Sequence, residues 1–187
     1  MVQKRNLDLD KVIAKATELI ETRGLNETTM PNLAKALGVR SQSLYYYVKN
    51  RSQLLSLVAV SRIDKLYREL VDKVIGLSGK DALLKFADVV RDYLHKDKAL
   101  ETLLFHLNEF DEDSGVIQGV LKIIKFGEKL NLDDDYVVSQ HALVGSVLGY
   151  VLLDHMTQNE ETHDEADRNY HEMILRLVSP NQSCLES

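Results

Sequence analysis

Residues 30–48 read MPNLAKALGVRSQSLYYYV, and this stretch decides the fold. Small Ala34, with Gly38 four positions later, suits a short helix that ends in a tight turn and is crossed closely by a second helix. Apolar residues are spaced to form a small core beneath both helices: Leu33, Leu37, Val39 and Leu44. An ordinary helical hairpin would show the same core, so the exposed positions must decide between the two interpretations.

Polar and aromatic side chains occupy the first two turns of the second helix, and two cations follow it. Hydroxyl, amide and cationic groups bind base edges and phosphates in DNA complexes. Exposed aromatic rings beside cations are costly on a surface that binds nothing. The pattern therefore favours a DNA-binding helix-turn-helix, with these candidate contacts: Ser41, Gln42, Ser43, Tyr45, Tyr46, Lys49 and Arg51.

Helix signals flank the motif on both sides. An apolar face over residues 9–20 predicts a first helix that Gly24 ends. Thr29 is the expected N-cap of the second helix. Ser41 is the expected N-cap of the third, which we expect to continue to about Val48.

The remaining sequence predicts a further set of helices. Asn50 and Gln53 have the form of a capping box for a long fourth helix that ends at Gly76. Apolar periodicity predicts five more helices, at 81–94, 98–110, 115–130, 133–156 and 164–178. The expected fold is all-α, with about nine helices and no strand.

The expected organisation is two domains and a tail. Residues 1–50 form an N-terminal three-helix helix-turn-helix domain, and a long helix at 51–75 links it to a larger helical domain spanning 51–179. Residues 180–187 look like a disordered tail.

Charge is divided unevenly along the 187 residues. Residues 1–60 hold nine Lys or Arg against five Asp or Glu, whereas the remainder holds 14 against 24, for a net charge of −6. A basic module on an acidic body is the layout expected when only one end contacts phosphate. The start of the chain lacks a signal-peptide pattern, and polar residues interrupt the apolar stretch 137–153, so we expect a cytoplasmic protein without a membrane span.

The segment Leu44–Leu55, LYYYVKNRSQLL, resembles the TetR family of bacterial transcription regulators. The family's helix-turn-helix ends in Leu-Tyr-x-Tyr/His-Phe/Val, followed by Lys-x-Lys/Arg and a leucine-bearing fourth helix. The resemblance extends from about Asn6 to Val60, and beyond that it is one of architecture. Pro31 departs from the pattern, because many relatives carry a basic residue there that reads a base.

The resemblance implies a role for each candidate in binding double-stranded operator DNA. Thr29 and Tyr45 would bind phosphates, and Lys49 and Arg51 would add further phosphate contacts. Tyr47 is open: its ring packs inward with only the hydroxyl reaching phosphate, or it contacts DNA as in many relatives. The residues implied to approach bases are Ser41, Gln42, Ser43 and Tyr46.

For the larger domain, the resemblance implies a small-molecule inducer pocket and a homodimer formed through helices 133–156 and 164–178. Gly145, Ser146 and Gly149 suit close helix packing, either within one chain or across the dimer. The pocket candidates, which could equally form a filled core, are Phe86, Leu103, Leu104, His106, Phe110, Leu121, Ile124 and His141.

Metal and catalytic motifs are missing from the sequence. The histidines lack the His-x-x-x-His pairing of metal sites, and the lone Cys184 offers no cysteine cluster. We therefore expect no cofactor, no metal and no enzymatic activity. The alternative to a ligand-released repressor is a helical protein-interaction adaptor, or a TetR-like regulator whose effector is a protein.

Overall fold

The structure is a computed structural model that describes residues 7–106, 109–110, 115–130, 139–156 and 163–179. Throughout these ranges the regular structure is helical, which confirms the predicted all-α fold. The helices are α1 (Leu9–Arg23), α2 (Met30–Leu37), α3 (Ser41–Leu44), α4 (Arg51–Val74), α5 (Gly79–Lys96), α6 (Lys98–Leu104), α7 (Val116–Glu128), α8 (Gln140–Met156) and α9 (His163–Leu177).

Local capping signals set the ends of α2 and the start of α4, as predicted. The Thr29 hydroxyl accepts a hydrogen bond from the Asn32 amide at 3.3 Å, and Gly38 ends α2 in the left-handed conformation with φ 68°. At α4 the Asn50 side chain accepts from the Gln53 amide at 2.7 Å. The Gln53 side chain accepts in return from the amide of Lys49, also at 2.7 Å.

Helix α3 differs from its prediction at both ends. Arg40, rather than Ser41, occupies the N-cap position, and its side chain makes no capping bond. The helix ends at Leu44 rather than near Val48, because the amides of Tyr47 and Val48 both bond to the Leu44 carbonyl and close a turn. Three consecutive aromatic residues favour this early end, since aromatic side chains lose rotamer freedom in a helix.

Helix α6 is also shorter than predicted, ending at Leu104 instead of Phe110. The His106 ring Nδ1 lies 2.8 Å from the carbonyl of Thr102, and the His106 amide bonds to Leu103. These bonds close the last turn. The predicted segments 133–138 and 180–187 lie outside the described residues.

The chain divides into two compact units: residues 1–65 with 97–119, and residues 66–96 with 120–187. In the first unit α1 packs against α2 and α6, and α2 packs against α3. In the second unit α5 packs against α8 and α9, which also contact each other. The boundary at residue 50 expected from sequence stays a prediction.

Candidate nucleic-acid interface

Helices α2 and α3 form the helix-turn-helix of the first unit. Leu33, Ala34 and Leu44 are buried, so the two helices meet through a small apolar core. The Val39 amide donates to the Ala34 carbonyl at 3.0 Å just after the left-handed Gly38. This packing fixes the orientation of α3 relative to α2 and leaves its other face outward.

The outward face carries most of the sequence-predicted contacts. Tyr46 is 90% exposed and Tyr45 is 55% exposed, an unusual state for aromatic side chains. Gln42 and Lys49 are also exposed, and Ser41 and Ser43 are half-buried at the edges of this face. Hydroxyl, amide and ammonium groups on this face are the chemistry that reads base edges and binds phosphates.

Thr29 lies at the start of α2, where backbone N–H groups are left without helical partners. Its hydroxyl oxygen accepts from the Asn32 amide, and the side chain is half-buried. The hydroxyl hydrogen can still donate to an acceptor such as a phosphate oxygen. The position therefore suits the phosphate contact expected from sequence, which stays a prediction.

Two predicted contacts have partners inside the protein. The Tyr47 hydroxyl donates to the Leu7 carbonyl at 2.6 Å, so its half-buried ring is turned toward the start of α1. Arg51 donates from Nε to the Thr28 carbonyl at 3.0 Å and from Nη2 to the Leu25 carbonyl at 2.9 Å. Its Nη1 also pairs with the carboxylate of Glu109. Contacts of Tyr47 and Arg51 with DNA stay predictions.

The predicted pocket residues are divided between the two units, and the pocket they would form stays a prediction. In the first unit Leu103 is buried, Leu104 and Phe110 are half-buried and His106 is exposed. In the second unit Phe86 and Ile124 are buried, Leu121 is half-buried and His141 is exposed.

Sequence reasoning missed a charged cavity of about 510 Å³ in the second unit. Arg91 is buried at its wall, where Nη2 donates to Asp167 at 2.6 Å and the guanidinium lies 4.3 Å from the ring centre of Tyr170. In the sequence, this cavity is indicated only by charged residues three to four positions apart along α5. That spacing is also typical of a solvated helix face. The lining residues are Lys85, Asp88, Arg91, Asp92, His95, Lys96, Asp154, Asp167 and His171.

Two histidine–aspartate pairs connect the walls of this cavity. His95 Nε2 lies 3.6 Å from Asp154, which links α5 to α8, and His171 Nε2 lies 3.7 Å from Asp88, which links α9 to α5. Burial raises the pKa of the Asp88 carboxyl, an effect that His171 partly offsets. Among the described residues, no group of three or more His, Cys, Asp or Glu is arranged to hold a metal ion.

Gly145 and Gly149 of α8 are not closely packed against any residue that the structure describes. A Cβ added at Gly145 or Gly149 would meet no described atom within 4 Å outside the local helix backbone. Leu143 and Val147 on the opposite face are buried. Packing inside one chain, the first of the two explanations for these glycines, therefore does not hold among the described residues.

No helix in the described part of the chain has both the length and the apolar character needed to cross a membrane.

Comparison with known proteins agrees with the motif and the fold. Residues 12–58 match the sequence model for bacterial regulatory proteins of the tetR family. An uncharacterised HTH-type transcriptional regulator of Bacillus subtilis (strain 168), YobS, is 27% identical over 82 residues. That match covers 44% of this chain and only 43% of the relative's length.

Solved structures extend the likeness to nearly the whole chain. A tetR-family regulatory protein from Rhodococcus RHA1 aligns with a TM-score of 0.68 at 13% identity, covering 93% of this chain and 98% of that one. FadR from Bacillus subtilis, solved in complex with stearoyl-CoA, aligns with a TM-score of 0.70 at 14% identity, covering 92% and 100%. At these identities the likeness shows a shared fold.

The all-α fold and the α2–α3 motif define a helix-turn-helix protein. Residues 12–58 of the chain are similar to bacterial regulatory proteins of the tetR family. The similarity predicted from Leu44–Leu55 is confirmed.

Proposed function

We propose that this protein is a transcriptional repressor that binds a palindromic operator as a homodimer and leaves it when a small molecule binds. One observation carries the proposal: α3 is fixed by a buried core while Gln42, Tyr45 and Tyr46 extend outward. Such a helix enters the major groove with its N-terminal residues at the base edges. A repressor of this kind acts on chromosomal DNA and therefore in the cytoplasm.

Electrostatics support the orientation of this interface. Lys49 is exposed directly after the α3 turn, and residues 1–60 are net basic while the remainder is acidic. Attraction to phosphate is independent of sequence and weakens as salt rises. The proposed interface should accordingly bind any duplex weakly at low salt and its operator selectively.

The surface of α8 supports the homodimer. Gly145 and Gly149 leave an open strip along the helix, and Leu152, Leu153 and Met156 are exposed near its end. An apolar helix face exposed in one chain suits burial against a partner. A two-fold dimer through α8 and α9 would present two copies of α3, one to each half of a palindrome.

Release of DNA by a small molecule is proposed here because it is the usual behaviour of tetR-family proteins. Because FadR from Bacillus subtilis was solved with stearoyl-CoA, long-chain acyl-CoA thioesters belong in the first ligand screen alongside a general metabolite set. A ligand qualifies as inducer if it weakens operator binding and operator weakens its binding equally, because coupling is reciprocal.

The experiment is selection of bound sequences from a random duplex pool, followed by anisotropy titrations with the enriched site. We expect a palindrome with half-sites about one helical turn apart. Gln42→Ala should change the base preference at one position of each half-site, whereas Gln118→Ala, at an exposed glutamine of α7, should not. A pool without an enriched sequence would contradict the proposal, and would favour the protein-interaction adaptor.

A further inference from the structure

The first turn of α4 holds residue 109 through two separate contacts. The Ser52 hydroxyl donates to the backbone carbonyl of Glu109 at 2.6 Å. The guanidinium of Arg51 pairs with the Glu109 carboxylate. Both partners of that ion pair are largely shielded, with side chains 28% and 33% exposed. Glu109 is thus attached to the start of α4 by its backbone carbonyl and by its carboxylate.

The other donors of Arg51 reach the connection between α1 and α2. Nε bonds to the Thr28 carbonyl and Nη2 bonds to the Leu25 carbonyl. The Thr28 side chain is itself buried and donates to the Gly24 carbonyl at 3.0 Å. Thr29, the N-cap of α2, follows immediately, so Arg51 holds two carbonyls of the connection that leads into α2.

We propose that Glu109 is a positioning residue for DNA binding. Its carboxylate holds the Arg51 guanidinium in the orientation that fixes the Leu25–Thr28 carbonyls, and through them Thr29 and the N-terminus of α2. Arg51 then acts inside the protein rather than on a phosphate. The expected effect of Glu109 on DNA binding rests on the proposed function. Its effect on the connection between α1 and α2 does not.

The negative charge of the Glu109 carboxylate is what orients Arg51 in this proposal. A guanidinium is planar and always charged, and a carboxylate gives it a charge-assisted bond about twice as strong as a neutral one. Glutamine at the same position keeps the size and can still accept a neutral hydrogen bond, but it loses the charge, so the guanidinium is held less firmly over the carbonyls of Leu25 and Thr28. If Arg51 instead bound phosphate, Glu109 would compete with DNA, and the same substitution would strengthen binding.

The test compares Glu109→Gln with Glu128→Gln, which removes the same charge from an exposed site of α7. Anisotropy titrations of full-length protein over a KCl series give the affinity for operator and for an unrelated duplex. We expect Glu109→Gln to weaken operator binding about five- to tenfold, equivalent to about 1–1.4 kcal/mol, with an unchanged salt slope, and Glu128→Gln to resemble wild type. Unchanged binding, or tighter binding to every duplex with a salt slope steeper by about one, would overturn the proposal.

Arg51→Lys separates positioning from phosphate binding. Lysine keeps the positive charge but lacks the forked donors that reach two carbonyls and a carboxylate together. As a positioning residue, Arg51 should not be rescued by lysine, so operator affinity should fall about as far as in Glu109→Gln. Full rescue with the wild-type salt slope would indicate a phosphate contact and overturn the proposal.

Hydrogen exchange tests the loop without reference to DNA. In full-length protein, Glu109→Gln should speed amide exchange in peptides covering residues 24–32, and Glu128→Gln should not. Unchanged exchange there would refute the positioning role, even if no variant bound DNA selectively. Faster exchange together with absent DNA selectivity would uphold the Glu109–Arg51 link to the loop and contradict only the proposed function and the consequence for DNA.

Discussion

The hydroxyl of Tyr47 donates a hydrogen bond to the backbone carbonyl of Leu7, 2.6 Å away and 40 residues earlier in the chain. This bond attaches the turn after α3 to the residue that precedes the α1 cap, Asp8. Because Leu7 and Tyr47 are half-buried, the bond is partly protected from water. Tyr47 thus links the end of α3 to the start of α1.

Removing this hydroxyl should destabilise the protein without changing its charge. Tyr47→Phe leaves the Leu7 carbonyl short of a partner, and we expect the free energy of unfolding to fall by about 1 kcal/mol. Tyr46→Phe is the matched control, since Tyr46 is almost fully exposed and should leave stability within error. Urea unfolding monitored by circular dichroism measures both; equal stabilities would mean that the bond contributes nothing in solution.

Lys49 should contribute to DNA binding as a point charge. Lys49→Ala is expected to weaken binding to operator and unrelated duplex alike, because one phosphate contact is lost, and to reduce the salt slope by about one. Lys73→Ala removes a charge that is likewise exposed, in the last turn of α4, and should change neither the affinity nor the salt slope. A loss confined to operator would instead assign Lys49 to base recognition.

Capping residues close in sequence were enough to predict several helix ends in the first unit. Thr29 and the pair Asn50 and Gln53 cap their helices as expected, since capping depends on residues three positions apart. Gly38 ends α2 because it adopts a positive φ without penalty. These features involve only neighbours in sequence, which is why the sequence alone was sufficient.

Long-range partners were beyond the reach of sequence patterns. Arg51 follows the helix-turn-helix and so looked like a phosphate contact, but its three partners lie 23, 26 and 58 residues away. The Arg91 site has the same character, since its partner Asp167 is 76 residues distant. Periodicity identifies a charged face but does not indicate which charges on it meet.

The open strip of α8 provides a direct test of the dimer. Gly149→Glu has room within one chain, because an added Cβ would meet nothing within 4 Å, and glutamate favours helix over glycine. In a dimer seam, however, it would bury a charge without a partner. We expect sedimentation to show monomers, with helical content retained and operator binding lost.

Ile75→Glu is the control for this substitution. Ile75 is 78% exposed just beyond α4, so a glutamate there should leave the dimer intact. If both variants sediment as dimers, α8 is not the interface. If both are monomeric, added charge rather than the position on α8 explains the loss.

Asp88 should make the stability of the second unit depend on pH. Its pKa lies above the ordinary value of 3.8, chiefly because burial penalises the charged form; Asp92 raises it further, while His171, Lys85 and Arg91 oppose the shift. An acid whose pKa is raised by folding destabilises the native state when it is ionised. That penalty is present at neutral pH and is relieved as pH falls through the raised folded pKa toward the ordinary one.

Asp88→Asn should therefore raise the free energy of unfolding at pH 7, because asparagine carries no charge to desolvate. The gain should shrink as pH is lowered toward 4, where wild-type Asp88 becomes protonated and loses its own penalty. Asp72→Asn, at an exposed position of α4, should show no such pH-dependent gain. Urea unfolding of all three proteins from pH 4 to pH 8 measures these differences. If Asp88→Asn were destabilising over the whole range, the attraction between Asp88 and His171 across 3.7 Å would outweigh the cost of burial, and the raised pKa would be wrong.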